Sequence, residues 1–346
     1  MRTASPAPIA PIPAIPPPPG GGDGPLFSVM IPVFECGDLF EVALRGVLDQ
    51  DPGPDRMQIA VVDDHSKGDE HERIVRRLAP SRVEVHRQPS NLGLSRNWND
   101  CIARSRGRWV HLLHQDDVVL PGFYERLARA AADPSAPGAA FCRHTFIHGD
   151  GRPSYHSALE REAAGVLDGW LVAISRTQRI QCPSIVVRRD VYEHLGGFRT
   201  DLCYALDWEM WVRIAAHYPV WFEPEPLACY RIHAGNETAR LRRGGKDVAD
   251  VRRAIAILAD VVPSEYAAGL GRQLLVEFRE QEILAMIRQL SERRVGRGLA
   301  HFVRANRWDS SLKFNRRFLG SLKWGLKTLV RHSLRRDRRP GPGGPP

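Results

Sequence analysis

Three carboxylate clusters carry most of the chemistry available to this chain. Asp63 and Asp64 follow the apolar run Ile59-Ala60-Val61-Val62, so they leave a buried strand at its C-terminal end. A carboxylate there can accept from a base N–H or a ribose hydroxyl, or serve only as a helix cap or turn residue. Asp116 and Asp117 follow Trp109-Val110-His111-Leu112-Leu113 in the same way. Adjacent carboxylates repel unless a cation neutralises them. Magnesium or manganese suits such a pair, because a hard cation takes one or two carboxylates and fills its shell with phosphate oxygens and water. The plain alternative is a capped turn ahead of a helix opened by Pro121. Asp207 starts the helical stretch Asp207-Trp208-Glu209-Met210-Trp211-Val212-Arg213, where spacing alone favours an N-cap over a catalytic base.

Alternating elements must position these groups. Apolar runs predict strands at 26–34, 57–62, 83–86 and 109–113, and helical spacing falls between them at 37–50, 73–78 and 94–105. Strand-like pieces follow at 140–146, 184–187 and 220–222, with helices at 190–195 and 206–217. Strands alternating with helices predict an α/β fold, a mostly parallel sheet covered on both faces. The ligand crevice of such a sheet lies at the C-terminal strand ends. Phe34-Glu35, Asp63-Asp64 and Asp116-Asp117 all converge there.

Motifs along this frame resemble glycosyltransferase family 2, inverting enzymes of the GT-A fold. Ser28-Val29-Met30-Ile31-Pro32-Val33-Phe34 is similar to the family's opening strand, and Val61-Val62-Asp63-Asp64-His65-Ser66 to its acidic second-strand motif. Asn91-Leu92-Gly93-Leu94-Ser95-Arg96-Asn97 resembles its asparagine–glycine motif. Gly197-Phe198 with Asp207–Arg213 resembles the acceptor-side segment, and Tyr230-Arg231-Ile232-His233 a closing motif. The similarity runs from about Phe27 to Ala239. It implies a Rossmann-like GT-A sheet and Asp207 as general base. Phe34 would stack near the donor base, and Asp63 or Asp64 would bind base or ribose. Pro32, Glu35, Asn91, Gly93, Arg96, His114, Gln115 and Asp117 would complete the donor site. Asp116, Asp117 and His233 would hold the metal, although His233 reads equally as a hydrogen-bonded core histidine. Arg96 and Arg213 are expected in structural ion pairs rather than on phosphate. One departure is His114, where many members carry Asp; an imidazole cannot supply that second negative charge, so weaker metal dependence is expected.

The implied reaction moves a sugar from a nucleotide-diphosphate donor to a hydroxyl of a glycan or lipid-linked acceptor, in surface polysaccharide or glycolipid synthesis. A nucleotidyltransferase is the enzymatic alternative, but Pro32-Val33-Phe34-Glu35-Cys36-Gly37 lacks the basic phosphate loop expected of one. A non-catalytic sugar-nucleotide-binding protein is the other, suggested only by His114.

Composition bounds the rest. The chain has 346 residues, 43% hydrophobic and 26% charged, and six cysteines without metal spacing, which suggests reduced thiols. Residues 1–25, rich in Pro, Gly and Ala, are expected to be disordered. The catalytic domain is expected over 26–240, a helical extension over 241–300 and a basic amphipathic tail over 301–346. The net charge is +9, and residues 301–346 hold twelve Lys and Arg against Asp309 and Asp337, a surplus of ten. The remainder is therefore close to neutral, which excludes a nucleic-acid-binding core. Leu312, Phe318, Leu319, Leu322, Leu326, Leu329 and Val330 share one helical arc, opposite Lys313, Arg316, Arg317, Lys323, Lys327, Arg331 and Arg335. That split suits a helix lying on an anionic membrane. With no apolar run long enough to span a bilayer and no signal peptide, the expected location is the cytoplasm, peripheral to the inner membrane face.

Overall fold

The computed structural model describes residues 9–18, 24–243, 246–292 and 294–308. The helical arc expected at 312–335 lies outside them. A ten-stranded sheet organises the chain in the order β3 (Glu84–Arg87), β2 (Met57–Asp63), β1 (Phe27–Val33), β4 (Trp109–Leu112), β9 (Ile185–Arg188), β6 (Ala139–His148), β10 (Val220–Ile232) and β5 (Val118–Val119), with β7 (Pro153–His156) on β6 and β8 (Gly165–Val166) on β10. The first half is β1 (Phe27–Val33), α1 (Leu39–Leu48), β2 (Met57–Asp63), α2 (Glu70–Leu78), β3 (Glu84–Arg87), α3 (Leu94–Arg104) and β4 (Trp109–Leu112). Its strands are all parallel. Every residue of β1 and β2 is buried, as a strand covered on both faces requires. Val29, Ile31, Ile59 and Val61 pack with Phe40 and Leu44 of α1.

The second half mixes directions. It holds β5 (Val118–Val119), α4 (Phe123–Leu127), β6 (Ala139–His148), β7 (Pro153–His156), β8 (Gly165–Val166), α5 (Trp170–Arg176), β9 (Ile185–Arg188), α6 (Arg189–Leu195), α7 (Leu206–His217) and β10 (Val220–Ile232). β9 runs antiparallel to β4 and β6, whereas β10 runs parallel to β6. β10 is far longer than the strand expected at 220–222, because the ladder shifts register around Pro224 and Pro226 and then continues. Five helices follow: α8 (Glu237–Arg243), α9 (Asp247–Leu258), α10 (Ser264–Ala267) and, after Gly271, α11 (Arg272–Ser291), with α12 (Val295–Trp308) closing the described chain.

The described residues up to 270 form one compact unit and those from 271 onward another, so the first unit extends past residue 240. In the second, Ile283, Met286 and Ile287 of α11 pack with Ala305 of α12. No described helix is long and apolar enough to cross a membrane. The six cysteines are unpaired thiols.

Residues 9–18 correct the expectation of disorder. They form neither helix nor strand, yet Ile15 is buried and the backbone is tied down at four points. Ala10 N donates to Asp201 (3.1 Å), and Ala10 O accepts from Arg199 (2.6 Å). Pro13 O accepts from Gly197 N (2.8 Å), and Pro16 O from Arg189 (2.7 Å). Proline carbonyls remain acceptors even where the ring removes the donor, so a Pro-rich segment can dock through donors supplied by the domain.

Candidate active site

The parallel strands deliver their C-terminal residues to one edge. β1 leads directly into Phe34, which is 46% exposed. The Gln115 side chain bridges this end to that of β4, accepting from Phe34 N (2.9 Å) and donating to Phe34 O (3.1 Å). Pro32 is buried within β1, two residues beyond the last β1–β4 pair at Met30, where its missing N–H breaks no ladder bond to β4. Glu35 is exposed with φ 48°, and its N–H is held by Ser66 Oγ (2.8 Å).

The two second-strand aspartates part company. Asp63 is fully buried, and its carboxylate accepts from Ser66 N and Oγ (3.1 and 2.5 Å), with Arg87 at 3.5 Å. This carboxylate braces the turn after β2. Asp64 sits one residue further out. Its oxygens accept from Leu92 N (2.6 Å) and Gly93 N (2.9 Å), and its carbonyl from Asn91 Nδ2 (3.1 Å). Burial pushes its carboxyl pKa up, against those two amides. Gly93 occupies φ +80° just before α3, a conformation that favours glycine. Arg96 is exposed on α3, and no ion pair to it occurs among the described residues. Arg213 meets expectation, paired with Glu209 (2.8 Å) and donating to the carbonyls of Leu195, Gly196 and Gly197.

The densest chemistry follows β4. One ligand atom from each of His114, Asp116 and Asp117 lies within 4.8 Å of the others. His233, at the end of β10, places Nε2 2.7 Å from Asp116 Oδ2. Arg231 braces the group: its N–H donates to Asp117 Oδ1 (2.8 Å) and its Nε to Asp116 O (2.8 Å). His114 Nδ1 lies 3.5 Å from Asp117 Oδ2, and His114 Nε2 is buried with no hydrogen-bond partner, a costly state for a polar atom unless something binds there. Burial pushes the Asp117 carboxyl up. Burial also opposes charge on His114, but Asp117, with Asp116 and Asp207 beyond it, outweighs this and raises the imidazole. Two carboxylates with two imidazoles are hard-to-borderline donors that fit Mg²⁺ or, better, Mn²⁺.

The His114 ring is fixed by packing. It stacks on Trp98 of α3 (4.8 Å, 27°), and Trp98 meets Phe198 edge-on (5.0 Å, 78°). Asn99 clamps the Phe198 backbone, accepting from its N–H (2.7 Å) and donating to its carbonyl (2.8 Å). α7 then presents Asp207 in its first turn, with Trp208 N donating to Oδ1 (2.7 Å). Burial raises the Asp207 carboxyl to about 6, with Trp208 N–H and His114 opposing. A carboxylate poised near neutrality and within electrostatic reach of a metal-type cluster suits proton abstraction. Trp98 and Asn99 carry no signal in spacing, whereas Arg231 lies within the Tyr230-Arg231-Ile232-His233 motif.

Comparison with known proteins agrees with this geometry. The family model "Glycosyl transferase family 2" matches residues 28–196. An uncharacterized protein of Mycobacterium tuberculosis, MT1568, is 30% identical over 253 residues, covering 68% of this chain and 76% of that protein. An uncharacterized glycosyltransferase of Rickettsia prowazekii, RP339, is 24% identical over 216 residues, covering 62% and 66%. Among solved structures, the mannosyltransferase PcManGT of Pyrobaculum calidifontis, in complex with GDP-Man and Mn²⁺, superposes with TM-score 0.56 at 17% identity, covering 95% of this chain and 92% of that one. TarS of S. aureus in complex with UDP-GlcNAc gives 0.55 at 16%, covering 88% and 81%. Both share the fold.

Proposed function

The chain belongs to glycosyl transferase family 2, and from that premise we propose that it transfers a sugar from a nucleotide-diphosphate donor to an acceptor hydroxyl with inversion. The observation that carries this reading is the pairing of one elevated, half-buried carboxylate, Asp207, with the separate cluster of His114, Asp116, Asp117 and His233. Asp207 takes the proton from the acceptor hydroxyl as its oxygen attacks the anomeric carbon. The bond from that carbon to the diphosphate oxygen breaks, and the nucleoside diphosphate leaves with the electron pair. One base and one in-line displacement give inversion. Neutralising charge on the departing diphosphate is the chemistry a Mg²⁺ or Mn²⁺ ion would supply when held by Asp116, Asp117, His233 and His114.

Among the donor-side residues, Phe34, Glu35 and Asp64 border the crevice, with Asn91 and Gly93 holding Asp64 in place. Gln115 fixes the Phe34 backbone for stacking on the base. Pro32 shapes the strand end, and the exposed Arg96 is free to reach a donor phosphate. Calorimetric titration with UDP-GlcNAc, GDP-Man and dTDP-sugars in manganese tests the reading. One donor should bind with manganese and lose affinity in chelator; no binding by any nucleotide sugar sinks the proposal.

A lipid-linked or glycan acceptor at the inner membrane face fits the basic tail, which is proposed to dock on anionic lipid. Each Lys or Arg at such a surface contributes about 1 kcal/mol, so the seven on one arc act together and weaken as salt rises. Full-length protein should co-sediment with anionic vesicles at low salt, and a chain truncated after Asp309 should not. Equal pelleting of the two would remove the membrane from the account.

A further inference from the structure

α9 lies beyond residue 196, where the family match ends, yet it belongs to the same compact unit as the site. Its Asp250 is 8% exposed and points at the segment leading into α7. Asp250 Oδ1 accepts from Cys203 N (3.0 Å), and Oδ2 accepts from Tyr204 N (2.7 Å) and Ala205 N (2.8 Å). Three successive amides thus wrap one carboxylate, the concave arrangement that binds anions. Ala205 is the N-cap of α7 and has no side-chain oxygen with which to cap it. Asp207 is the second residue of that helix. One turn further along α9, Arg253 donates to Asp201 (2.6 Å), which also pairs with Arg199 (2.9 Å). α9 therefore grips the loop at 201 and again at 203–205, immediately ahead of the base.

We infer that Asp250 is a positioning residue for Asp207, holding the first turn of α7 through the amides of residues 203–205. This rests on the reading of Asp207 as the base. An apolar side chain would pack α9 against the loop as well; the carboxylate adds a fixed distance to three consecutive amides. Charge-assisted hydrogen bonds are the shorter and stronger kind, and a displacement of about 1 Å at a reacting group costs about a hundredfold in rate.

The test uses the full chain and hydrolysis of whichever donor binds with manganese. Asp250→Ala should lower turnover by roughly ten- to a hundredfold with donor affinity changed less than about twofold, and Asp250→Asn, which keeps one acceptor oxygen, should recover part of the loss. Val251→Ala removes buried packing from the same helix without touching the carboxylate. It should lower Tm and spare turnover. The double variant Asp207→Asn/Asp250→Ala should be no slower than Asp207→Asn alone, since a residue acting through Asp207 has nothing left to position. If the two losses multiply, or if Val251→Ala and Asp250→Ala lose turnover alike at similar Tm, Asp250 is structural and the inference fails. If Asp207→Asn hydrolyses donor at the wild-type rate, the base reading fails first, whatever Asp250 does.

Discussion

Asp207→Asn is expected to reduce turnover by roughly 10²–10⁴-fold, the usual cost of removing a general base, while nucleotide-sugar affinity stays within about twofold. The side chains are nearly isosteric, so α7 and its capping contacts survive, and Trp208 N can still donate to the amide oxygen in place of Oδ1. What disappears is the basic oxygen. The wild-type pH profile should carry the same signature. Burial lifts the carboxyl to about 6, so the competent, deprotonated form prevails above that value and is lost as pH falls through it. Turnover should therefore decline on the acid side with a midpoint near 6, and the limb should vanish in the residual activity of Asp207→Asn. A variant retaining more than about a tenth of wild-type turnover contradicts the assignment.

The second large effect is expected at Asp116. Asp116→Ala should abolish manganese-dependent donor binding in calorimetry. Changing an outer-shell partner of a metal ligand already costs about 10–100-fold in affinity, so loss of a carboxylate ligand should cost at least that. The fold around the site should hold, because Arg231 contacts the Asp116 backbone carbonyl rather than its side chain. His233 alone loses its partner. Since His114 brings no negative charge, Asp116 and Asp117 are the only anionic members of the cluster, which makes each of them harder to spare. Donor affinity that is unchanged in Asp116→Ala, and insensitive to chelator in both proteins, would take the metal out of the account.

How much of this was legible beforehand follows from where apolar periodicity was strong. β1, β2 and β4 are mainly apolar runs buried along their whole length, and their polar clusters lie at their C-terminal ends. The two-residue strands β5 and β8 and the exposed β7 are too short or too polar to show any period. Pro224 and Pro226 concealed the continuation of β10, since proline normally ends a ladder. Residues 9–18 carry a different period. Ile9, Ile12 and Ile15 recur every three residues, the repeat of polyproline II rather than of helix or strand, and only Ile15 is buried. At the site, residue type and strand position brought out Asp64, Asp116 and Asp117, whereas Asp207 and His233 stood out only through the family resemblance. Type and position could not separate the buried brace Asp63 from its neighbour Asp64. Trp98, Asn99 and Asp250 act through contacts distant in sequence, which single-chain spacing cannot reveal.

The most direct test of the account follows the anomeric carbon through turnover. Incubation with UDP-GlcNAc and with GDP-Man in manganese, monitored by proton NMR from the first minutes, reports the configuration of the sugar as it is released to water or transferred to an acceptor. Both donors carry an α linkage to diphosphate, so a single displacement assisted by Asp207 should yield the β anomer first from the donor that is used, and Asp207→Asn should form it roughly 10²–10⁴-fold more slowly. Initial release of the α anomer, or no sugar released from any nucleotide donor, would contradict it.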